Sequence, residues 1–281
     1  MARPSCGPGL LGDTPARDYA RKLGLFNAFA RRELQQAVAS LSLQPGMRVL
    51  DAGCGTGETL EWLAKGVNPT GLVIGLDLAA AHVCRARVVA PVDALVLQAN
   101  INVPPLPDGS IDLLWCVNTI NHLRDPRAGV EILKRLLRPG GRMALGQSSF
   151  VPDMLFAWNA PLERRVNDAV RLYYRDRYNV SEHELAGIRS LVGLLRGAGF
   201  RNVTSRTFVI ERISPLSAAD EGYLLDAIFR GTWGERLRPY LATADYGELE
   251  RLCDPADSQF ALRRPDFHYI QSFTLVAGQL G

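Results

Sequence analysis

No apolar run in the chain approaches the ~20 residues that a bilayer-spanning helix needs. The first residues carry Gly and Pro and then charge, so they lack the apolar core of a signal peptide. A soluble, cytoplasmic protein is expected. Lysine is scarce, limited to Lys22, Lys65 and Lys134, and arginine supplies the remainder of the 32 basic residues. That bias reads as base composition of the source genome rather than chemistry. With 29 acidic residues interspersed, the formal net charge is +3 and no clustered basic footprint for nucleic acid emerges. Cysteine is sparse too. Five cysteines, an odd number without repeated spacing, exclude a regular disulfide framework, and no pair has the spacing of a zinc site. No metal is expected. Cys54, Cys84 and Cys116 lie in apolar contexts and are expected as reduced, buried thiols.

What is present fits an ordinary globular protein: 281 residues, 47% hydrophobic and 22% charged, enough for one large domain with insertions or for two domains. After a Gly- and Pro-rich start, apolar positions recur at helical spacing from Asp18 to Leu41. Strand and helix patterns then alternate: strands at 47–52, 71–77, 93–98, 110–116 and 142–148, helices at 56–65, 79–89 and 126–137. This alternation indicates βαβ units and a parallel sheet covered on both faces. Asp125-Pro126 is an N-cap followed by Pro at the first helical position, and Pro139-Gly140-Gly141 is the expected stop. Further on, an amphipathic helix is expected within 150–185, with Leu162, Val166, Ala169, Val170 and Tyr173 on one face. A helix over Ile188–Leu195, a strand over Phe200–Ile213, helical sequence over 215–263 and a last β run over Phe267–Ala277 complete the chain. Ser217, with Asp220 three residues on, is a helix-start signal.

The densest signal is Val49-Leu50-Asp51-Ala52-Gly53-Cys54-Gly55-Thr56-Gly57. A strand ends in an acid and breaks into alternating glycines before a helix. Glycines permit the tight turn and let a ligand approach the backbone. Dinucleotide sites use G-x-G-x-x-G and set a pyrophosphate on the helix N-terminus. Here position 58 is Glu, and Asp51 with Glu58 suits a cationic ligand better. Asp77 ends the second strand, twenty residues past Gly57, where an acid accepts ribose hydroxyls. Asn100, at the third strand end, offers a side-chain carbonyl acceptor or makes a local turn.

These residues, with Leu106-Pro107-Asp108-Gly109-Ser110-Ile111-Asp112-Leu113-Leu114, His122-Leu123, Asp125-Pro126 and the segment 133–145 around Arg138-Pro139-Gly140-Gly141, resemble class I S-adenosylmethionine (SAM)-dependent methyltransferases. The likeness is to the methyltransferase-11 group, which includes the ubiquinone/menaquinone C-methyltransferases. It is strong over 47–148 and weak over Leu195–Val203. It implies a Rossmann-like α/β fold with a seven-stranded, mostly parallel sheet, helices on both faces and a helical lid from two insertions. The corresponding divisions are an N-terminal helical segment (1–45), a SAM-binding core (46–149), a lid insertion (150–187), more core (188–214), a second helical insertion (215–264) and a final strand (265–281).

Carried over residue by residue, the resemblance lays SAM on Asp51, Ala52, Gly53, Cys54, Gly55, Thr56 and Gly57, with Thr56 at the methionine end. Asp77 takes the ribose, Leu78 packs the adenine, and Asn100 and Ile101 bind its edge. Val117 and Asn118 lie near the transferred methyl, and Tyr19 covers the cofactor or packs. The fourth strand continues as Asn118-Thr119-Ile120-Asn121 and lacks the two prolines of the (Asp/Asn)-Pro-Pro-Tyr motif, which disfavours methylation of a base amine. Alignment of an acceptor with the methyl supplies most of the catalysis expected, ~7–11 kcal/mol. His122 is the best-placed base, or else a buttress of the next helix. Tyr174 and Tyr178, with Arg171 and Arg175, either present an aromatic, cationic face to an anionic planar acceptor or form a half-buried helix surface. His183 and His268 complete the candidates. The expected activity is methyl transfer to carbon or oxygen of a small molecule, releasing S-adenosylhomocysteine (SAH), without nucleic acid or membrane as partner. The alternatives are a SAM-fold protein that catalyses a cyclisation or rearrangement without methyl transfer, and a NAD(P)-dependent oxidoreductase.

Overall fold

A computed structural model describes residues 20–149, 155–156, 159–179 and 187–281. Eight strands form one mixed sheet: β1 Arg48–Ala52, β2 Leu72–Asp77, β3 Leu95–Gln98, β4 Ile111–Val117, β5 Leu137–Ser148, β6 Leu155–Phe156, β7 Arg201–Ile213 and β8 His268–Gln279. Their order is β3-β2-β1-β4-β5-β8-β6, and β7 pairs with the other edge of β8. The first five run parallel, while β8 is antiparallel to β5, β6 and β7. The expectation of seven strands is exceeded only by β6, a two-residue pairing with Ile270 and Tyr269 of β8.

Adjacent residues on the central strands face opposite ways, as strand geometry requires. Val49 and Leu113 join Leu34, Val38, Leu60 and Leu63 on one side of the sheet. Leu50 and Leu114 join Val130, Leu133, Leu194 and Leu195 on the other. Both faces are therefore covered, which is why these strands read as nearly continuous apolar runs. The covering helices are α1 Ala20–Phe29, α2 Arg31–Ala39, α3 Glu58–Val67, α4 Ala80–Val89, α5 Pro126–Arg135, α6 Ala160–Tyr178, α7 Leu191–Gly197, α8 Ala218–Tyr223 and α9 Thr243–Cys253.

Local signals account for most boundaries. Asp125 Oδ1 accepts from the Ala128 N–H at 3.0 Å, and Ser217 Oγ accepts from the Asp220 N–H at 3.1 Å. Both caps stand where the sequence places them. Three boundaries differ. The N-terminal periodicity resolves into two helices that break at Ala30, whose backbone leaves the helical region (φ −95°, ψ 11°). Helix α5 ends at Arg135 rather than at 137. Pro139-Gly140-Gly141 is not its stop but a bulge inside β5, where the register jumps from Leu137 to Arg142 against β4. Gly140 has φ +74°, a conformation that suits glycine.

Of the expected apolar face of α6, Leu162, Val166, Ala169 and Val170 are buried and Tyr173 is half-buried. Its polar side meets the segment 215–263. Asn159 donates to Glu248 at 2.9 Å, and Arg165 pairs with Asp245 at 2.8 Å. Tyr173 stands edge-on to Tyr240 with ring centres 6.3 Å apart. Within that segment α8 runs into a π-helical stretch, Leu224–Arg230, where Phe229 stacks on Trp233 at 5.4 Å.

One polar cluster fastens the N-terminal helices to the sheet. Arg212 of β7 donates to Glu33 of α2 at 3.0 Å, to Asp220 at 3.3 Å and to the Phe29 carbonyl, and its guanidinium lies 4.7 Å from the Phe29 ring centre. Glu33 is only 6% exposed. Removing the arginine would leave a buried carboxylate unpaired, which typically destabilises by about 3–5 kcal/mol, while replacing both partners is far milder. Arg212→Met is therefore expected to lower unfolding stability in urea by ~3 kcal/mol, and Arg212→Met/Glu33→Leu to recover most of it. A double variant no more stable than the single one would show that the pair does not behave as a unit.

Candidate functional site at the strand ends

Parallel strands β3, β2, β1 and β4 finish along one edge of the sheet, the edge at which open α/β sheets bind ligands. The loop after β1 is tied to the end of β2 by two hydrogen bonds into the Leu76 carbonyl, from Gly53 N–H at 2.7 Å and Cys54 N–H at 2.8 Å. Gly53, Gly55 and Gly57 take φ of +86°, +53° and +89°. Two of them are also required by close approach. A Cβ on Gly53 would stand 2.2 Å from Thr119 Oγ1, and one on Gly57 2.8 Å from the Ala86 Cα. Helix α3 thereby begins in contact with α4, with its first N–H groups opening onto the loop.

Three carboxylates surround this loop. Asp51 is 2% exposed, and burial, then the nearby Asp77, push its pKa well above the ordinary 3.8. Asp77 accepts from Gly55 N–H at 2.9 Å and Ala79 N–H at 2.8 Å, and His82 Nδ1 lies 3.3 Å from its Oδ1. Burial alone would raise Asp77, but the His82, Ala79 and Gly55 bonds outweigh it and hold the carboxyl below its usual range. Glu58 accepts from Thr56 Oγ1 at 2.6 Å and from Asn27 Nδ2 of α1 at 2.8 Å. Among the described residues none of the three is paired with Arg or Lys. The concentration of negative charge disfavours a pyrophosphate and leaves a place for a cation. Helix α1 closes the loop from above: Leu23 Cδ1 would be 3.4 Å from a Cβ on Gly55.

Asp51, the glycine loop and Asp77 are thus brought together. Thr56 is there as well, 1% exposed, with its hydroxyl given to Glu58. Leu78 follows Asp77, its carbonyl accepting from Gln98 at 3.3 Å. Asn100 makes a turn, Oδ1 accepting from Asn102 N–H at 2.9 Å, and Ile101 is buried beside it. Val117 ends β4 opposite Gly146. Asn118 adopts φ +51°, and its amide is bound both ways by Ser148, from N–H at 2.7 Å and to Oγ at 3.2 Å. Its side chain locks β4 to β5. His122 closes a single 3₁₀ turn, Ile120–His122, its N–H bonded to the Thr119 carbonyl at 2.9 Å.

Tyr174 lies on α6 between Tyr173 and Tyr178, at 5.4 and 5.5 Å. Burial, then Tyr178, push its phenol up to about 12, so it stays protonated at neutral pH. Arg171 pairs with Asp168 at 3.4 Å and Arg175 with Asp176 at 3.1 Å, so the cations expected beside these tyrosines already have acids of their own helix. His268 pairs with Glu211 at 2.8 Å across the β7–β8 ladder. Tyr19 and His183 lie outside the described residues. Sequence reading missed His82 and Asn27. A histidine on the first turn after a strand-end acid is a usable signal for the former, whereas only the packing of α1 identifies the latter. Among the described residues no group of three or more His, Cys, Asp or Glu is placed to hold a metal ion, and no helix is long and apolar enough to cross a membrane.

A family model described as a methyltransferase domain matches residues 50–145. The 27-O-demethylrifamycin SV methyltransferase of Amycolatopsis mediterranei is 36% identical over 118 residues, 40% of this chain and 43% of that protein. The 2-methyl-6-phytyl-1,4-hydroquinone methyltransferase of Synechocystis is 32% identical over 169 residues, 57% of this chain and 50% of that protein. The chain thus spans about half the length of these curated relatives. A solved structure from Anaeromyxobacter dehalogenans, proposed to be a type II methyltransferase, shares the fold with a TM-score of 0.59 at 21% identity, covering 88% of this chain and 95% of that one.

Two consequences can be measured. The pKa of Asp51 is raised on folding, so the native state keeps a proton that the unfolded chain loses above pH 3.8. Stability therefore falls as pH rises from there through the folded pKa. Asp51→Asn removes that fall: thermal unfolding of the ligand-free variant at pH 7 is expected about 1–3 kcal/mol more stable than wild type, with the gain shrinking towards pH 4. A gain independent of pH would contradict it. Gly53→Ala meets both a positive φ and Thr119, and is expected to destabilise by about 2–4 kcal/mol in urea, partly relieved by Thr119→Ser.

Proposed function

We propose, from the premise that residues 50–145 belong to the methyltransferase-11 family, that the chain binds SAM at the strand ends and transfers its methyl group to carbon or oxygen of a small molecule, leaving SAH. The observation that carries this reading is the buried Asp51, beside Asp77 and Glu58, under a loop of three positive-φ glycines. Such a site asks for a ligand that brings positive charge and tolerates close backbone approach. The methyltransferases of rifamycin and hydroquinone intermediates among the relatives favour a small-molecule acceptor.

When bound, SAM supplies an activated methyl on a good leaving group. The chain's contribution is then mostly placement. Asp51 and Glu58 neutralise the ammonium end, and the backbone from Asp51 to Gly57 lies along the methionine portion. Asp77 already accepts two backbone N–H groups, and its remaining lone pairs serve the ribose hydroxyls. His82, behind it, orients that carboxylate. Leu78 packs the adenine, with Asn100 and Ile101 at its edge. At the end of β4, Val117 and the backbone of Asn118 border the reacting centre, because the Asn118 amide is held by Ser148. His122 serves as base for an enol or phenol acceptor. Tyr174, protonated at neutral pH, donates a hydrogen bond rather than removing a proton. Helix α6 and the segment 215–263, joined through Tyr173, Tyr240 and Arg165–Asp245, act as a lid that excludes water from the acceptor.

Calorimetric titration with SAM, SAH and NAD, on wild type and Asp77→Ala, tests the cofactor. Micromolar SAM and SAH binding, weakened at least about tenfold by the substitution, with no NAD binding, is expected. NAD binding without SAM would refute the reading. Incubation with methyl-labelled SAM and a phenol and β-dicarbonyl panel then separates transfer from a cyclisation or rearrangement, which leaves no label in product.

A further inference from the structure

Helix α1 roofs the glycine loop and meets Glu58 at two positions. Asn27 Nδ2 donates to Oε2 of Glu58 at 2.8 Å, the same oxygen that takes the Thr56 hydroxyl at 2.6 Å. Two neutral donors thus hold one carboxylate oxygen. Among the described residues the other oxygen, Oε1, has no hydrogen-bond or ion-pair partner. Gly24, three residues before Asn27 and on the same face of α1, stands over it. A Cβ on Gly24 would lie 3.8 Å from Oε1, the one contact within 4 Å it would make outside α1 among the described residues. The roof itself is fixed in place. Arg21 pairs with Asp226, Phe29 stacks on Tyr223 with ring centres 4.2 Å apart, and Leu23 rests on the loop at Gly55.

Glycine inside a helix costs stability relative to alanine. Gly66 and Gly129 have a packing reason for it, since a Cβ would come within 2.7 Å of Leu43 and 2.2 Å of Leu123. Gly24 has no such reason, because 3.8 Å is ordinary van der Waals contact. What it leaves is room for one methyl-sized group beside an unpartnered carboxylate oxygen. An ammonium has that size, and a charge-assisted hydrogen bond to a carboxylate is shorter and stronger than a neutral one. We infer that Gly24 is a specificity-determining residue: the gap under α1 admits the α-ammonium of the cofactor's amino-acid end onto Oε1 of Glu58. This rests on the methyltransferase reading above. Asn27 is then a positioning residue, which acts by holding Glu58 through Oε2. Because Asn27 and Thr56 are neutral, they orient the carboxylate and leave its charge to the ligand.

The probes are SAH and its deaminated analogue, which carries hydrogen in place of the ammonium, each titrated by calorimetry. Wild type is expected to bind SAH at least about tenfold tighter than the analogue. Gly24→Ala should weaken SAH about tenfold and hold the analogue within about twofold. The same variant should melt about 1–3 °C higher without ligand, since alanine favours the helix. Asn27→Ala should weaken SAH about threefold or more, again with the analogue within about twofold. The control is Gly193→Ala on α7, exposed and with nothing within 4 Å of an added Cβ, which should leave SAH affinity unchanged. A merely structural residue would not gain stability while losing only the aminated ligand. SAH affinity unchanged in Gly24→Ala, or equal losses for both ligands, overturns the inference. Should Gly24→Ala fail to fold, Asn27→Ala with the same two ligands decides it. Wild type that binds neither ligand sinks the methyltransferase reading and this inference with it, whereas SAH binding without preference over the analogue sinks the inference alone.

Discussion

The hydrogen bond from the Gly55 N–H to Asp77, at 2.9 Å, is the constraint on which the strand-end edge depends. It joins the loop after β1 to the end of β2 at the one point where both must meet a ligand. The bond requires Gly55 to turn through a left-handed conformation. With burial opposing, the bonds from His82 and Ala79, and least from Gly55, hold Asp77 low in pKa, so the carboxylate stays ionised with acceptor capacity to spare. Gly53 and Gly57 then have to be glycine for different reasons, one because Thr119 arrives from β4 and the other because α4 presses on the start of α3. The loop is held from three strands and two helices, which is the preorganisation that a positioning catalyst needs.

Around this centre, stability and ligand demand pull in opposite directions. Asp51 is buried with no Arg or Lys partner among the described residues, beside a second acid, and its ionisation is disfavoured. A core built only for stability would place an amide or an apolar group there. The arrangement makes sense as a site completed by a cation, and residues of this kind are among the better physical pointers to function. The Arg212 cluster is the opposite case. There a guanidinium, two acids, a carbonyl and an aromatic face satisfy one another, and the result is anchorage of α1 and α2, hence of the roof over the loop.

Much of this was legible in the chain. Strand and helix alternation from 47 to 148 follows from apolar runs interrupted by Gly and Pro, and the caps at Asp125 and Ser217 follow from side chains that bond locally. The buried face of α6 was readable for the same reason, since helical periodicity is a property of neighbours in sequence. The Pro139-Gly140-Gly141 segment misled because breaker residues report that a helix cannot continue, not whether a turn or a strand bulge follows. Asn100 and Asn118 were placed at the correct strand ends, but their side-chain partners, Asn102 and Ser148, depend on the local turn and on the neighbouring strand.

The sequence by itself determined the parallel sheet, the acid–glycine loop that opens its ligand edge, and the order in which acids follow successive strands. Those are short-range facts, set by backbone freedom, side-chain period and local hydrogen bonding. Tertiary structure alone decided which distant groups meet: Asn27 on Glu58, Ser148 on Asn118, and Glu33 and Asp220 on Arg212. Charge and burial act through distance, falling with separation in ångströms rather than in residues, and a contact such as that between residues 27 and 58 has no signature in a linear chain.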